Sequence, residues 1–535
     1  MGHKWFLLFT ALLFISCASV KEPKQIAEPL DYTDQNIIDS EKKRITEMLQ
    51  TDSVKALWRS LLLGQQSLTE ECQQQVYYQF KDAIEEKDYY LANSYFITLK
   101  NSGWKFSGEE EAKYKDLISK DVPGLSPVPA AKTPKNISDC LNATVTIWVD
   151  RGVKIQNGAG FADIVLGSGF FIDKRGYLIT NHHVIESMVN PKYEGYSRLY
   201  IKLHSDPDTK IPAKVIGYDS ILDLALLKVE LEPEFILTLG SSKELHVGDK
   251  VSAIGTPLGL EGTLTSGIIS STDRKLTTLG NVFQIDAAVN SGNSGGPLID
   301  QNMKVQAVVF AGILQFQGLN FAIPVEYLRQ ELPVLYNGNE VNHCWIGAFG
   351  HTKRTGNKKT GLEVQYVMPG SPAFLSGLKP GDVITKIENF SIKSLEDWQI
   401  TLMAFQPVTM VKLSYLANGE EEKTVNVYLN KRPDSPALEV YKSDLLSGSF
   451  IPLFGMKLVN SNSSYHKEYT VTEIIRGSAA DESNFSENDK VIVKGVDFDN
   501  ERKVILAQVY AKRKKKGYLD ITMVLGTTYD SPYYF

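Results

Sequence analysis

The chain changes from one hydrophobic pattern to another along its length. Between residues 36 and 120, apolar side chains recur at spacings of three and four, which is typical of amphipathic helices. Members of this pattern include Val54, Leu57, Trp58, Leu61 and Leu62. After residue 143, short β-branched and aromatic runs alternate with glycine turns, as in 143–149. The pattern predicts a small helical domain over 36–120, a proline-rich linker over 121–136 and a mainly β remainder.

Length and composition limit the classes of protein that fit. A chain of 535 residues is too long for one core and indicates three to four domains. The formal net charge of −6 is small for this length and does not indicate a nucleic-acid partner. The four cysteines lack metal-ligand spacing, and no phosphate loop of the G-x-x-x-x-G-K-[ST] kind is present. We therefore expect no metal, no cofactor and no ATP dependence.

The first residues have the pattern of a targeting segment. Lys4 precedes an apolar run from Trp5 to Ser16, which suits a signal peptide and is too short to span a bilayer. Cys17 follows in a context that resembles a bacterial lipoprotein processing site. We expect a signal peptide over 1–17 and a lipid anchor on Cys17, with simple secretion and cleavage near Ala18 as the alternative. Either outcome places the mature chain outside the cytoplasm.

The strongest chemical signal is the glycine-rich segment from Gly292 to Leu298, with Ser294 inside it. Glycines allow a tight loop that exposes a serine hydroxyl and directs backbone N–H groups at an oxyanion. Upstream, His183 follows a strand-like stretch, and Asp223 lies in an apolar run where its carboxylate needs a partner. The order His, Asp, Ser is the one used by chymotrypsin-like double barrels. His182 and Asp219 are the alternatives for the base and the carboxylate.

Several segments together resemble the protease domain of the HtrA/Deg family of envelope serine proteases, over about 137–337. They are Gly167–Phe170, Thr180–Val184, Asp223–Val229, Ala253–Gly259, Thr265–Ser270, Asp286–Leu298 and Phe321–Pro324. The family's T-N-x-H-V pattern selects His183 as the base, with His182 exposed beside it. The resemblance implies Ser294 as the nucleophile and Asp223 as the orienting carboxylate. It also implies an oxyanion hole at Gly292, Asn293 and Ser294.

Two PDZ domains are expected after the protease domain. Residues 345–430 carry the PDZ core signature in Gly370–Ala373 and Gly377–Ile384. There, the Trp345–Gly350 segment resembles a loop and strand that receive the C-terminus of a peptide, with contacts from Ile346, Gly347 and Ala348. Residues 450–535 resemble a degenerate second PDZ domain, in which Asn488-Asp489 replaces the glycine-aspartate pair. Peptide binding is therefore expected at the first domain only.

The resemblance implies an ATP-independent serine endopeptidase that cleaves misfolded or unfolded envelope proteins and is regulated by peptides bound to a PDZ domain. The fold implied is a chymotrypsin-like double β-barrel with two PDZ domains, preceded by a helical domain. Ala288, six residues before the nucleophile, favours a small or medium aliphatic P1 side chain. The short loop Gly152–Gly167 favours a homotrimer over a larger cage. The alternatives are a chaperone or peptide-binding protein with minor proteolysis, and a signalling protease that cuts one regulator.

Overall fold

A computed structural model describes residues 32–121, 131–156, 158–256, 262–275, 279–290, 292–312, 319–461, 468–513 and 519–535. The predicted signal peptide, the lipid acceptor Cys17 and most of the proline-rich linker lie outside the described residues. Within those ranges, no helix combines the length and apolar character that crossing a bilayer requires.

The N-terminal domain is helical, as its periodicity predicts. Its helices are α1 (Gln35–Met48), α2 (Ser53–Leu63), α3 (Gln66–Glu85), α4 (Tyr89–Asn101) and α5 (Gly108–Asp121). Asp34, Asp52 and Asp88 cap α1, α2 and α4 by accepting backbone N–H groups. The aromatic stripe of this domain lies in its own core, where Phe80 and Phe96 pack together.

The next part of the chain forms two antiparallel six-stranded barrels. The first follows α6 (Ile137–Asn142) and contains β1 (Thr144–Gln156), β2 (Ala159–Asp173), β3 (Tyr177–Thr180), β4 (Arg198–Leu203), β5 (Asp206–Asp219) and β6 (Leu224–Val229), with α7 (His182–Val189) after β3. The second contains β7 (Lys250–Gly255), β8 (Thr263–Arg274), β9 (Val282–Ile285), β10 (Pro297–Ile299), β11 (Val305–Gly312) and β12 (Asn320–Pro324). Pairing of β5 with β6 closes the first barrel, and pairing of β7 with β10 closes the second. The double-barrel prediction is confirmed.

The segment Gly152–Gly167 differs from the loop that the sequence suggested. It belongs to β1 and β2, which stay paired as far as Gln156 opposite Ala159. Alternating apolar residues favour an extended ladder here over an irregular loop. Val153, Ile155 and Phe161 remain largely exposed on this hairpin. The segment is therefore a β-hairpin, and its length cannot be used as the length of a loop.

The first PDZ domain follows helix α8 (Val325–Asn337) and β13 (Asn339–Glu340), which pairs with β5. It contains β14 (Cys344–Trp345), β15 (Ala348–Thr355), β16 (Lys358–Val367), α9 (Pro372–Leu375), β17 (Val383–Ile387), β18 (Phe390–Ser391), α10 (Leu395–Leu402), β19 (Thr409–Ala417) and β20 (Glu421–Lys431). The sheet order is β14-β20-β19-β17-β16-β15, so β15 is an edge strand. Helix α10 begins after Ser394, whose hydroxyl caps it by accepting the Asp397 N–H.

The second PDZ domain is simpler than the first. It contains α11 (Pro436–Ser443), α12 (Leu446–Phe454), β21 (Met456–Asn460), β22 (Glu468–Ile474), α13 (Ala479–Glu482), β23 (Lys490–Asp499), β24 (Val504–Arg513) and β25 (Leu519–Thr528). A turn of four residues, 500–503, joins β23 to β24, where the first domain has β18 and α10. The second domain therefore lacks the helix that forms one wall of a PDZ peptide groove.

The helical domain packs on the sheet of the first PDZ domain. The indole of Trp58 stacks on Tyr428 with ring centroids 5.8 Å apart, and its N–H donates to the carbonyl of Asn426. The Asp52 carboxylate accepts the Tyr428 hydroxyl at 2.6 Å. The Asn101 amide donates to the Met410 carbonyl at 3.1 Å, next to a fully buried Met410 side chain. This continuous core holds α2 and α4 against β19 and β20.

Candidate active site and peptide grooves

His183 and Asp223 meet at the end of the first barrel. His183 lies in the first turn of α7, and Asp223 ends the turn between β5 and β6. Both carboxylate oxygens of Asp223 contact His183. Oδ2 lies 2.7 Å from Nδ1 of the ring, and Oδ1 accepts the backbone N–H at 2.8 Å. The two contacts orient the ring through Nδ1, so Nε2 is the nitrogen that Asp223 does not occupy.

Asp223 is held in this position by its neighbours. Its φ of +59° is in the left-handed region, which costs free energy unless the surroundings enforce it. The Asn181 side-chain amide donates to the Asp223 carbonyl at 2.8 Å. The carboxylate of Asp219 accepts the N–H groups of Ile221 and Leu222 at 2.7 and 2.9 Å and so closes the turn. Asn181 and Asp219 are thus positioning residues for the carboxylate.

Ser294 lies in the second barrel, on the loop before β10. Its carbonyl accepts the Ser168 N–H at 2.7 Å, which ties the loop to the first barrel. A Cβ on Gly295 would lie 2.3 Å from the Ser168 carbonyl oxygen, and one on Gly296 would lie 2.2 Å from the Ile254 carbonyl oxygen. The glycines of the motif are therefore required because the loop is wedged between two strands.

The Ser294 hydroxyl donates to the carbonyl of Phe310 at 3.3 Å. Within the described residues it makes no hydrogen bond to His183. The backbone N–H groups of Gly292 and Ser294 have no acceptor among the described residues, whereas the Asn293 N–H donates to Asn290. The Gly292 carbonyl is held by the Ser168 hydroxyl at 2.6 Å. Two backbone N–H groups therefore lie beside the Ser294 hydroxyl without an acceptor among the described residues.

The alternative base and carboxylate, His182 and Asp219, lie elsewhere, and the predicted exposure of His182 is wrong. The ring of His182 is half-buried and stacks on Tyr218, with centroids 5.2 Å apart. This burial lowers the pKa of His182. Asp219 is fully buried, with its Oδ2 2.8 Å from His343 Nε2. Neither side chain is placed to replace His183 or Asp223.

Asp219, His343 and Glu331 form a buried cluster between β5, α8 and the segment before β14, and their ligand-type atoms lie within 4.8 Å. Burial opposes ionisation of Asp219, but the charge and hydrogen bond of His343 outweigh it and lower its pKa to about 2. Burial and the Asp219 charge raise the pKa of Glu331 well above its ordinary value. The raised pKa favours a neutral Glu331 beside the Asp219–His343 contact.

The predicted peptide-binding residues of the first PDZ domain form the turn that leads into edge strand β15. Gly347 has φ +83°, and a Cβ there would lie 2.2 Å from the Cβ of Ser371. The carbonyls of Ile346 and Gly347 accept the N–H groups of Ala373 and Met368. The backbone of this turn is therefore fixed by the α9 region, and the edge of β15 from Ala348 onward faces α10.

The residues that would line the specificity pocket are described only in part. Ala288 is exposed, and the Asn320 amide donates to the Ala287 carbonyl at 2.8 Å. The side chains of 311–318 lie outside the described residues. The sequence singled out neither Asn181 nor Phe310 as partners of the site; the only signal was the position of Asn181 in the T-N-x-H-V pattern.

Four segments of the chain match known domain families. Residues 167–308 match the trypsin-like peptidase domain, and residues 349–429 match the PDZ domain. Residues 437–529 match the TP0546 family PDZ domain. Residues 36–118 match a domain of unknown function.

Proteins similar to this chain are named as serine endoproteases. The chain is 34% identical over 287 residues to a probable periplasmic serine endoprotease DegP-like of Halomonas elongata, covering 50% of this chain and 57% of that protein. It is 38% identical over 267 residues to one of Hahella chejuensis, covering 48% and 55%. The chain thus spans slightly more than half the length of these relatives. A solved structure, the HtrA-type protease AlgW with decapeptide, is 25% identical with a TM-score of 0.45, covering 56% of this chain and 99% of that one.

The order of the matched domains agrees with the barrels and sheets described above. A trypsin-like peptidase domain is followed by a PDZ domain and then by a second, simplified PDZ domain. The helical domain precedes them and is an addition to this arrangement. In this order of domains the chain is similar to proteins of the HtrA/Deg family, which combine a trypsin-like peptidase domain with C-terminal PDZ domains.

Proposed function

We propose that the chain is an ATP-independent serine endopeptidase of the bacterial cell envelope that cleaves unfolded or misfolded polypeptides. The observation that carries the proposal is the double contact of Asp223 with His183, at 2.7 and 2.8 Å, facing a barrel that presents Ser294 on a glycine-rich loop. Relatives named periplasmic serine endoproteases support the periplasm as its location.

In the proposed mechanism, Ser294 Oγ attacks the scissile carbonyl while His183 Nε2 accepts its proton. The new C–O bond breaks the carbonyl π bond, and the resulting oxyanion accepts hydrogen bonds from the N–H groups of Gly292 and Ser294. His183 then gives the proton to the leaving amine, which departs as the acyl-enzyme forms. Water repeats the sequence and releases the acid. Asp223 stabilises the imidazolium and keeps the proton on Nδ1.

Labelling with a fluorophosphonate probe tests the assignment. We expect the wild-type chain to be labelled, because the probe needs both an activated serine and an oxyanion hole. A His183→Ala variant should not be labelled. Since Ser294 rests on the Phe310 carbonyl, labelling should be measured with and without an unfolded protein as activator. An unlabelled wild type under both conditions would contradict the peptidase proposal and favour the chaperone or peptide-binding alternative.

The pH dependence of activity follows from the environment of His183. Burial lowers the pKa of the imidazole, but the hydrogen bond and charge of Asp223 outweigh it and raise the pKa above the ordinary 6.5. The base must be neutral to accept a proton, so activity is lost as the pH falls through this raised pKa. We expect the acid limb of kcat/KM to have its midpoint above pH 6.5. A midpoint below that value would contradict the coupling to Asp223.

The P1 preference is the third testable property. The position six residues before the nucleophile is Ala288, which offers no negative charge to a basic side chain. We expect peptides with Ala or Val at P1 to be cleaved at least about tenfold faster, in kcat/KM, than peptides with Lys or Arg, because one unpaired buried charge costs more than about 1.4 kcal/mol. Chromogenic peptides that differ only at P1 measure this ratio. Faster cleavage after Lys or Arg would overturn the assignment.

We propose two further properties that need their own tests. The first is a lipid anchor on Cys17; incorporation of labelled palmitate that survives a Cys17→Ser substitution would exclude it. The second is a homotrimer built through the protease domains. The exposed side chains of Val153, Ile155 and Phe161 offer apolar surface for contacts between copies. A monomeric mass by light scattering at micromolar concentration would exclude the trimer.

The first PDZ domain is proposed to bind peptides, since its edge strand and α10 form a groove. The second domain lacks that helix and is proposed to have a structural role. A signalling protease that cuts one regulator is the second candidate function. Cleavage of many unfolded proteins, unaffected by added peptides, would count against it.

A further inference from the structure

A segment of the chain itself lies in the groove of the first PDZ domain. The N–H of Ala348 donates to the carbonyl of Phe535 at 2.8 Å, and the N–H of Phe535 donates back to the carbonyl of Ala348 at 2.9 Å. The N–H of Gly350 donates to the carbonyl of Tyr533 at 3.1 Å. Tyr534 lies opposite Phe349 in antiparallel register. Residues 533–535 therefore add a strand to the edge of β15, which is how PDZ domains hold extended peptides.

The side chains of this segment are also accommodated. Phe535 is 2% exposed and packs with the core of the PDZ domain, its ring at 65° to Trp398 of α10 with centroids 5.5 Å apart. Tyr533 stacks on His351 at 4.0 Å between centroids. Tyr534 points to the other side, where its hydroxyl donates to the Pro452 carbonyl at 3.0 Å. Alternate residues thus meet the groove and the second PDZ domain.

The approach to the groove is fixed as well. Asp530 forms two hydrogen bonds of 2.6 Å with Arg432, whose side chain is 2% exposed. The Gln399 amide of α10 donates to the Pro532 carbonyl at 2.8 Å. Strand β25 ends at Thr528, so a very short and anchored connection leads to the groove. Such a connection gives a bound segment a millimolar or higher effective concentration.

The same segment contacts the protease domain. The Lys275 ammonium donates to the Tyr533 hydroxyl at 3.1 Å and lies 4.8 Å from the centre of its ring. Gln399, which holds Pro532, also accepts the N–H of Gly280 through Oε1 at 3.1 Å. Lys275 and Gly280 belong to the connection between β8 and β9 of the second barrel. The segment in the groove is therefore connected to this loop of the protease domain through the side chains of Lys275 and Gln399.

We propose that residues 531–535 are an intramolecular ligand of the first PDZ domain. An external ligand would have to pair with β15 in the same way and place aromatic side chains against His351 and Trp398, as Tyr533 and Phe535 do. Such a peptide must displace the chain's own segment, so its apparent affinity is reduced by the fraction of free grooves. The proposal rests on the proposed peptide-binding role of this domain and is independent of peptidase activity.

Competition for the groove is measured with a fluorescein-labelled Ser-Pro-Tyr-Tyr-Phe peptide, which copies residues 531–535. The full chain carries Ser294→Ala so that cleavage cannot interfere, and binding is followed by anisotropy. We expect a Tyr533→Ala/Phe535→Ala variant to bind the peptide at least about tenfold more tightly than the parent, because its groove is free. The control is Tyr78→Ala, which removes an exposed aromatic ring from α3 and should leave the affinity unchanged.

Hydrogen exchange of the backbone amides is a second test. Its main result comes from the parent chain, without substitutions at residues 531–535. The amides of Ala348 and Gly350 should be protected in the chain without added peptide, exposed in the double variant and protected again when peptide is added. Free exchange of both amides in the parent would overturn the proposal.

The binding experiment separates the remaining possibilities. Equal, tight binding by the parent and the double variant would overturn the intramolecular ligand and leave peptide binding intact. Absence of binding by both, with unchanged melting curves, would overturn both the intramolecular ligand and the peptide groove. Neither result bears on fluorophosphonate labelling, which tests the peptidase alone.

Discussion

Hydrolysis of an unfolded protein is expected to fall about 10⁶-fold when Ser294 is replaced by alanine, because the only attacking oxygen of the proposed mechanism is lost. The fold should be unaffected: the Ser294 carbonyl, rather than its side chain, ties the loop to Ser168. The hydroxyl makes only a 3.3 Å contact with Phe310 in the described structure. The release of acid-soluble peptides from reduced, unfolded casein measures the effect.

The matched control is Ser187→Ala. Ser187 lies on α7 close to His183, but its hydroxyl contacts Ser197 at 2.9 Å and is not part of the proposed site. We expect its activity to stay within about twofold of wild type. Substantial hydrolysis by the Ser294→Ala variant would show that another group performs the chemistry.

Replacing Asp223 with asparagine is expected to lower kcat by about 10⁴-fold, with a much smaller change in KM. The backbone N–H of His183 donates to Asp223 Oδ1 at 2.8 Å in the wild-type chain. The asparagine side-chain oxygen can still accept this hydrogen bond. Its NH₂ group then faces Nδ1, where the carboxylate lies at 2.7 Å. Nδ1 is forced to accept, the proton moves to Nε2, and the imidazole cannot take the proton of Ser294.

The same substitution should move the acid limb of the pH profile to lower pH, since the charge that raises the pKa of His183 is removed. Asp206→Asn, at the exposed start of β5, is the control for removing one acidic charge. It should leave both kcat and the midpoint of the acid limb unchanged. A loss of less than about tenfold, with no shift of the limb, would exclude Asp223 as the orienting residue.

The local patterns predicted most of the architecture. Helical spacing over 36–120 and short strands with glycine turns are dictated by side-chain periodicity, so helices and barrels follow from sequence. The glycine-serine loop was readable for a related reason: Gly295 and Gly296 are needed where a Cβ would meet a backbone oxygen. The segment Gly152–Gly167 was misjudged because the family resemblance implied a loop, whereas cross-strand pairing makes it a hairpin.

Long-range contacts were not readable, because they depend on which surfaces meet in the folded chain. Asp219 and Asp223 lie four residues apart in similar sequence contexts, and only the turn geometry assigns one to His343 and the other to His183. Trp58 stacks on Tyr428, which is far from it in the chain. The sequence around either residue does not predict this contact.

The order of domains, the triad candidates and the degenerate character of the second PDZ domain follow from sequence alone, since each is encoded in residues adjacent along the chain. Two features could be seen only in the folded molecule. The helical domain packs on the sheet of the first PDZ domain, and Phe535 lies in the groove beside Trp398. Both depend on how separately folded units pack, and packing is set by shape and buried area over whole surfaces that no local window of sequence contains.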